Sequence, residues 1–238
     1  MTLAEHLDEL RKRLGICLAA WLAAMAVGFA NAGRLIEWLQ RPAEGSLPRL
    51  AVFSPTEPLM AFLSVAVLAG AALAMPVFLW QVWGFIRAGL SLRERAWGQV
   101  FVWWGSAQFI GGVLFAYYAL LPVSLRVLLR IGQAYFEPVI SVERYLGFVL
   151  SLAWWCGLIF ELPVALWLLA TVGIVTPEWL RQQRPYATLV LVIVAAIVTP
   201  TTDPVSLLLM AAPLLILYEV SILMTRVAVR PRIQREGR

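Results

Sequence analysis

The stretch from Leu146 to Val172 reads LGFVLSLAWWCGLIFELPVALWLLATV, an apolar run that contains one charged residue, Glu161, and no cation to pair it. A run of more than about 18 apolar residues is long enough to cross a bilayer as a helix. A charge at the bilayer centre costs at least ~2.5 kcal/mol, so an acid in such a run marks a functional position by default. At about 11 residues, or roughly 17 Å, from the cytoplasmic end of its helix, Glu161 lies close to mid-membrane. A protonated, neutral carboxyl is the purely structural alternative, and it is compatible with a direct role.

Five more apolar stretches surround this one, which predicts an all-α, polytopic membrane protein with six spans. The expected spans are 14–30, 59–86 with a kink at Pro76, 96–121, 145–172, 186–198 and 205–224. The fifth is short, about 20 Å as a helix against a hydrocarbon core of roughly 30 Å. The polar turn behind it, Thr199-Pro200-Thr201-Thr202-Asp203-Pro204, cannot face lipid tails. The bilayer thins there, or the turn lines a wet cavity. Ser54-Pro55-Thr56-Glu57 and Ser91-Leu92-Arg93-Glu94 have the form of capping boxes before spans two and three. Asp203 is placed to cap span six. Ala30-Asn31-Ala32 imitates a signal-peptidase site, but the run before it is long and Glu5, Asp8 and Glu9 spoil the basic n-region.

Composition narrows the chemistry. Hydrophobic residues make up 61% of the 238 residues and charged ones 14%, against about a quarter charged in soluble domains. No linker or repeat divides the chain, so residues 1–238 read as one membrane domain. Cys17 and Cys156 lie in apolar runs, and His6 is the only histidine, which argues against a disulfide framework or a multi-histidine metal site. Lys12, the only lysine, is followed by Arg13 and lacks a glycine-rich approach, so no Walker phosphate loop is present. There is no GxSxG motif, and no cofactor is expected.

The net charge of +5 is explained by orientation, without nucleic-acid binding. Arg11, Lys12, Arg13, Arg87, Arg93, Arg95, Arg181, Arg184, Arg226, Arg230, Arg232, Arg235 and Arg238 fall on one side of the six-span arrangement. Arg34, Arg41, Arg49, Arg126, Arg130 and Arg144 fall on the other. Thirteen against six predicts that both termini are cytoplasmic.

On that side the N-terminal segment is amphipathic, with Leu3, Leu7, Leu10 and Leu14 at helical spacing and Thr2 and Glu5 as a capping box. It reads as an interfacial helix running into span one. Asp8 and Glu9 have Lys12 and Arg13 four residues on, which favours pairing within the helix. Glu94, apart from its capping role, shares that side with Glu9. Two carboxylates beside apolar surface suit a ligand with two guanidinium groups, because arginine binds carboxylates through charge-assisted, often bidentate bonds. Glu219 is close enough to Arg226 for snorkelling to be expected. Ala66, Gly70 and Ala74 give span two a face for close helix contact.

Taken together, these pieces resemble one family, the TatC subunit of the twin-arginine protein translocase, over essentially the whole chain. The resemblance rests on His6-Leu7-Asp8-Glu9-Leu10-Arg11-Lys12-Arg13, Ser54-Pro55-Thr56-Glu57-Pro58, Pro76-Val77 and Gln81-Val82-Trp83-Gly84-Phe85-Ile86. It continues in Phe115-Ala116-Tyr117-Tyr118, Phe160-Glu161-Leu162-Pro163, Thr176-Pro177-Glu178, Arg184-Pro185-Tyr186 and Tyr218-Glu219. It implies six helices in a concave, cupped arrangement in the plasma membrane, and recognition of twin-arginine signal peptides on folded cargo. By this resemblance the signal contacts fall on Glu9, Arg11, Phe85 and Glu94, and Glu161 belongs to the polar interior of the cup. Pro42 and the first outer loop matter for assembly, and Asp203 sits in the fifth-to-sixth hairpin. The implied partners are the single-span TatA and TatB proteins, membrane lipids and further copies of the chain. The proton gradient drives transport. The Thr199-to-Asp203 turn departs from the shorter family form, and Leu207 stands where a glutamine is frequent.

Two other functions compete. A proton- or ion-coupled transporter would use Glu161 as its carrier site, but no inverted repeat accompanies it. A membrane enzyme would need a nucleophile–base pair or metal cluster that the sequence does not offer.

Overall fold

The computed structural model describes residues 3–43, 50–87, 97–130, 139–199 and 204–236, with side chains over 7–42, 50–87, 97–130, 139–199 and 204–226. Among them there is no sheet, only a single parallel bridge between Ala51 and Ser141. The helices are α1 (Leu3–Ala30), α2 (Ala32–Gln40), α3 (Glu57–Ile86), α4 (Gly98–Phe115), α5 (Leu121–Arg130), α6 (Val142–Phe160), α7 (Leu162–Val172), α8 (Pro177–Gln182), α9 (Arg184–Val198) and α10 (Pro204–Glu236). Five helical stretches are long and apolar enough to cross a membrane, and α9 is a shorter apolar helix.

The interfacial segment and span one form one helix. Gly28 is the only fully buried residue described in α1, because α1 lies at the edge of the molecule against α3. Small residues permit that contact. A Cβ on Gly70 would stand 2.8 Å from the Met25 Cα, and one on Gly28 would stand 3.1 Å from the Ala66 carbonyl oxygen. Ala66, Gly70 and Ala74 are all buried, so the small-residue face of span two is where span one docks. Pro76 stands within α3, which continues through it to Ile86.

The third span is longer than the apolar pattern suggests. α4 passes through a π-helical turn at Ala116–Leu120 into α5, which ends at Arg130. Pro122 cannot donate to Tyr118, and the widened turn re-registers the helix around that missing bond. The turn also aims Tyr117 at α2, where it stacks on Trp38 at 3.8 Å and donates to the Trp38 carbonyl at 2.6 Å. Tyr145 donates to the Leu39 carbonyl at 2.8 Å. These bonds satisfy carbonyls at the end of α2.

The fourth span is two helices, α6 and α7, meeting at Glu161. Pro163 lacks the donor that would continue the ladder, and the Glu161 N–H bonds back only three residues, to Leu158 O at 3.1 Å. Gly173, at φ 89°, ends α7 in the left-handed conformation that glycine adopts without strain. Thr176 then caps α8 by accepting from the Trp179 N–H at 3.2 Å.

Two capping and pairing expectations are corrected. α3 begins after Thr56, whose side chain makes no cap bond, although Ser54 Oγ accepts the Thr56 N–H at 3.4 Å, as the expected cap at Ser54 requires. Glu57 instead accepts from the Phe53 N–H at 3.2 Å and from Ser141 Oγ at 3.1 Å. Proline at positions 55 and 58 fixes the local chain, so the carboxylate is drawn toward the start of α6. There Ser141 Oγ also accepts the Glu143 and Arg144 N–H groups. Glu219 does not rely on Arg226: it pairs with Arg184 at 2.5 Å, because Tyr218 beside it donates to the Leu180 carbonyl at 2.8 Å and holds α10 against α8 and the start of α9.

Candidate functional site

The N-terminal part of α1 and the C-terminal end of α3 meet around one guanidinium. Arg13 donates from Nε and Nη2 to Glu9 Oε1, at 3.0 and 2.6 Å. Its Nη1 reaches across to Gln81 Oε1 at 3.1 Å and to the Gln81 carbonyl at 3.4 Å. Room for it comes from Gly84: a Cβ there would collide with Arg13 Nη1. The side chains of Arg13 and Glu9 are 19% and 27% exposed. Glu9 is therefore fixed against the second span. Both Arg13 bonds fall on Oε1 and neither on Oε2. Phe85 lies one turn past Gln81, on the same side of α3.

Asp8 pairs with Arg11 at 3.3 Å and with Lys12 at 3.2 Å. The i,i+4 pairing expected for Asp8 and Glu9 is thus present. Arg11 is not brought to Glu9, and its side chain is 83% exposed. Glu94 lies outside the described residues, as does Asp203. Pro42 sits in the single turn Arg41–Ala43 that follows α2.

A second polar position lies within the membrane-spanning helices. A Cβ on Gly105 would stand 3.2 Å from Glu161 Oε2, so the missing side chain on α4 provides the hollow for the acid. Both Glu161 oxygens are buried without a hydrogen-bond partner, and so is Gln108 Oε1. The two carboxyl oxygens are covered by the chain itself. Below it, Trp83, Phe101 and Trp167 form an aromatic cluster with ring centroids 5.2 to 5.8 Å apart.

The sequence reading assigns roles to neither Gln81 nor Gln108. For Gln81 the signal is its place four residues before Phe85. For Gln108 it is a carboxamide well inside an apolar run. Among the described residues no group of three or more His, Cys, Asp or Glu side chains is placed to hold a metal.

An apolar cavity of about 110 Å³ lies between α2 and the second, third and fourth spans, lined by Trp38, Leu68, Tyr117 and Val149 among others. It contains no group that could perform chemistry.

Comparison with known proteins gives a uniform result. The family described as Sec-independent protein translocase protein (TatC) matches residues 5–213. The Sec-independent protein translocase protein TatC of Aquifex aeolicus (strain VF5) is 38% identical over 236 residues, 98% of this chain and 98% of its own. That of Carboxydothermus hydrogenoformans is 37% identical over 226 residues, 95% and 93% of the two chains. A crystal structure of the twin arginine translocase receptor TatC in DDM superposes with a TM-score of 0.80 at 38% identity, over 92% of this chain and 98% of that one. A second crystal structure of the receptor gives 0.78 at 36% identity, over 94% and 99%. By the family match, the identities and the shared helical fold, the chain belongs to the TatC family of Sec-independent protein translocase proteins.

Proposed function

We propose that this chain is the receptor subunit of its translocase. It binds signal peptides carrying consecutive arginines at the cytoplasmic face and, with single-span TatA and TatB partners, moves folded proteins across the plasma membrane using the proton gradient. Both termini are cytoplasmic in this reading, following the arginine asymmetry of the loops. The observation that carries it is Glu9, a carboxylate anchored by Arg13 to Gln81 through one oxygen only, with Gln81 a turn of α3 from the apolar ring of Phe85. A signal arginine has there a pre-positioned acceptor and a flanking ring on which a guanidinium can stack. Glu94 supplies the second carboxylate and Arg11 remains a peripheral contact. Pro42 and Asp203 belong to surfaces that meet partner subunits, including further copies of the chain.

The test is site-specific crosslinking of a twin-arginine signal peptide to membranes containing the wild type, Glu9→Ala, Glu94→Gln and the Glu9→Ala/Glu94→Ala pair at equal expression. Each single variant is expected to lower crosslinking and the pair to abolish it. Unchanged crosslinking in the pair overturns the assignment.

A further inference from the structure

Among the buried side-chain oxygens without a donor in the spanning helices, three are acceptors of the carboxyl and carboxamide type: Oε1 and Oε2 of Glu161 and Oε1 of Gln108. They belong to two helices packed as closely as helices can be. A Cβ on Gly112 of α4 would lie 2.5 Å from the Cys156 carbonyl oxygen of α6, and one on Gly157 would lie 2.8 Å from the Phe109 ring. At the other end of this contact, Glu161 Oε2 sits over Gly105. Gly105 meets residue 161 while Gly112 meets 156 and 157, so the two helices run antiparallel.

Gln108 is three residues from Gly105 and four from Gly112, hence on their face and between the two points of contact. Residues three apart on a helix have Cβ atoms about 5–6 Å apart. The carboxyl above Gly105 is therefore within reach of the Gln108 amide after a side-chain rotation.

An ionised carboxylate in this place would be a buried charge with no donor, beside another oxygen that also lacks one. A proton on Glu161 changes that balance. A neutral carboxyl has one O–H donor, and a carboxamide has one acceptor and two N–H donors. Face to face, the acid O–H donates to Gln108 Oε1 while Gln108 Nε2–H donates to the other acid oxygen. This single arrangement satisfies all three unpartnered atoms at once.

We propose that Gln108 is the positioning partner of Glu161, and that the two form a closed acid–amide pair between α4 and α6 with the proton on Glu161. The inference rests on packing within the chain and is independent of how signal peptides are recognised.

The test uses the full-length protein in detergent and combines a thermodynamic cycle with infrared difference spectroscopy. Gln108→Leu and Glu161→Leu are each expected to lower the unfolding midpoint. Together they should lower it by less than the sum, with a coupling of about threefold in the unfolding equilibrium, as for polar pairs between spanning helices. The exchanged pair, Gln108→Glu with Glu161→Gln, keeps acid and amide in contact and should recover the midpoint. In the wild type, the carbonyl band lost in Glu161→Gln should be that of a protonated, hydrogen-bonded carboxyl, and Gln108→Leu should move it to higher frequency. Additive single effects, an unmoved band in Gln108→Leu, or an ionised-carboxylate band for Glu161 would each overturn the pair. Should the leucine variants fail to accumulate, the wild-type band and the exchanged pair still decide it.

Discussion

Glu9→Gln removes one charge while keeping the size of the side chain, and its effect on signal-peptide binding follows from how Glu9 is held. Glu9 Oε1 is already engaged by two donors of Arg13, at 3.0 and 2.6 Å. An incoming guanidinium finds Oε2 alone, unless it displaces an arginine that is itself tied to Gln81. One hydrogen bond to a charged group is worth about 1.5–3 kcal/mol. The side chain is 27% exposed, and solvent screening trims the figure to about 1–2 kcal/mol. That corresponds to roughly 5- to 30-fold weaker binding, since 1.4 kcal/mol is tenfold. It is less than the ~2–5 kcal/mol lost when a fully desolvated charge pair is broken. The assay is fluorescence anisotropy of a labelled twin-arginine peptide on the protein in nanodiscs, at low and high salt. The wild type should lose affinity with salt more steeply than Glu9→Gln. A Kd within twofold of the wild type at low salt refutes the reasoning. A loss beyond a hundredfold refutes the single-oxygen geometry, because it would require the ligand to displace Arg13 and take both oxygens.

Three further outcomes are expected. Glu161→Ala should insert and remain folded but transport a folded cargo poorly, whereas Glu161→Gln, which keeps hydrogen-bonding capacity, should retain more transport at equal expression; equal loss in both would point to proton carriage. Glu57→Ala leaves the Phe53 N–H and the Ser141 hydroxyl without their acceptor and should cost about 1–3 kcal/mol. It should also speed hydrogen exchange of the Ala51 and Val142 amides, which bond across the two outer segments; unchanged protection there would refute the link. Gly70→Leu drives a side chain into the Met25 backbone, where a Cβ alone stands at 2.8 Å. It should cost upward of about 1–3 kcal/mol, read from the unfolding midpoint in detergent; an unchanged midpoint would refute the close contact of α1 with α3.

The helical class and the number of apolar segments were legible because hydropathy alone selects them: backbone groups in lipid must bond within a helix. The Asp8 and Glu9 pairs were legible because they depend only on a four-residue spacing. What escaped depends on contacts distant in sequence. Glu57 bonds to Ser141 as well as to the local Phe53 N–H, and Glu219 bonds to Arg184; neither distant partner can be chosen before the helices are packed. Gln81 and Gln108 look like tolerated amides until Gly84 and Gly105, a turn away on the same helices, are seen to make room for Arg13 and Glu161. Span three was drawn too short because α5 alternates apolar and polar faces, and hydropathy cannot see past the change of pattern at Pro122.

The brevity of α9 has a consequence for assembly. Its 15 residues rise about 22 Å, some 8 Å less than a typical hydrocarbon core of roughly 30 Å. At a fraction of a kcal/mol per ångström of mismatch, the surrounding lipid stores an elastic energy of a few kcal/mol along this flank, and the exposed Leu189, Ile193 and Ile197 place that flank in contact with it. Two such flanks brought together share one ring of deformed lipid and release part of that energy. The bilayer itself then acts as a line tension that draws short-flanked helices side by side, before any contact specific to a partner is made.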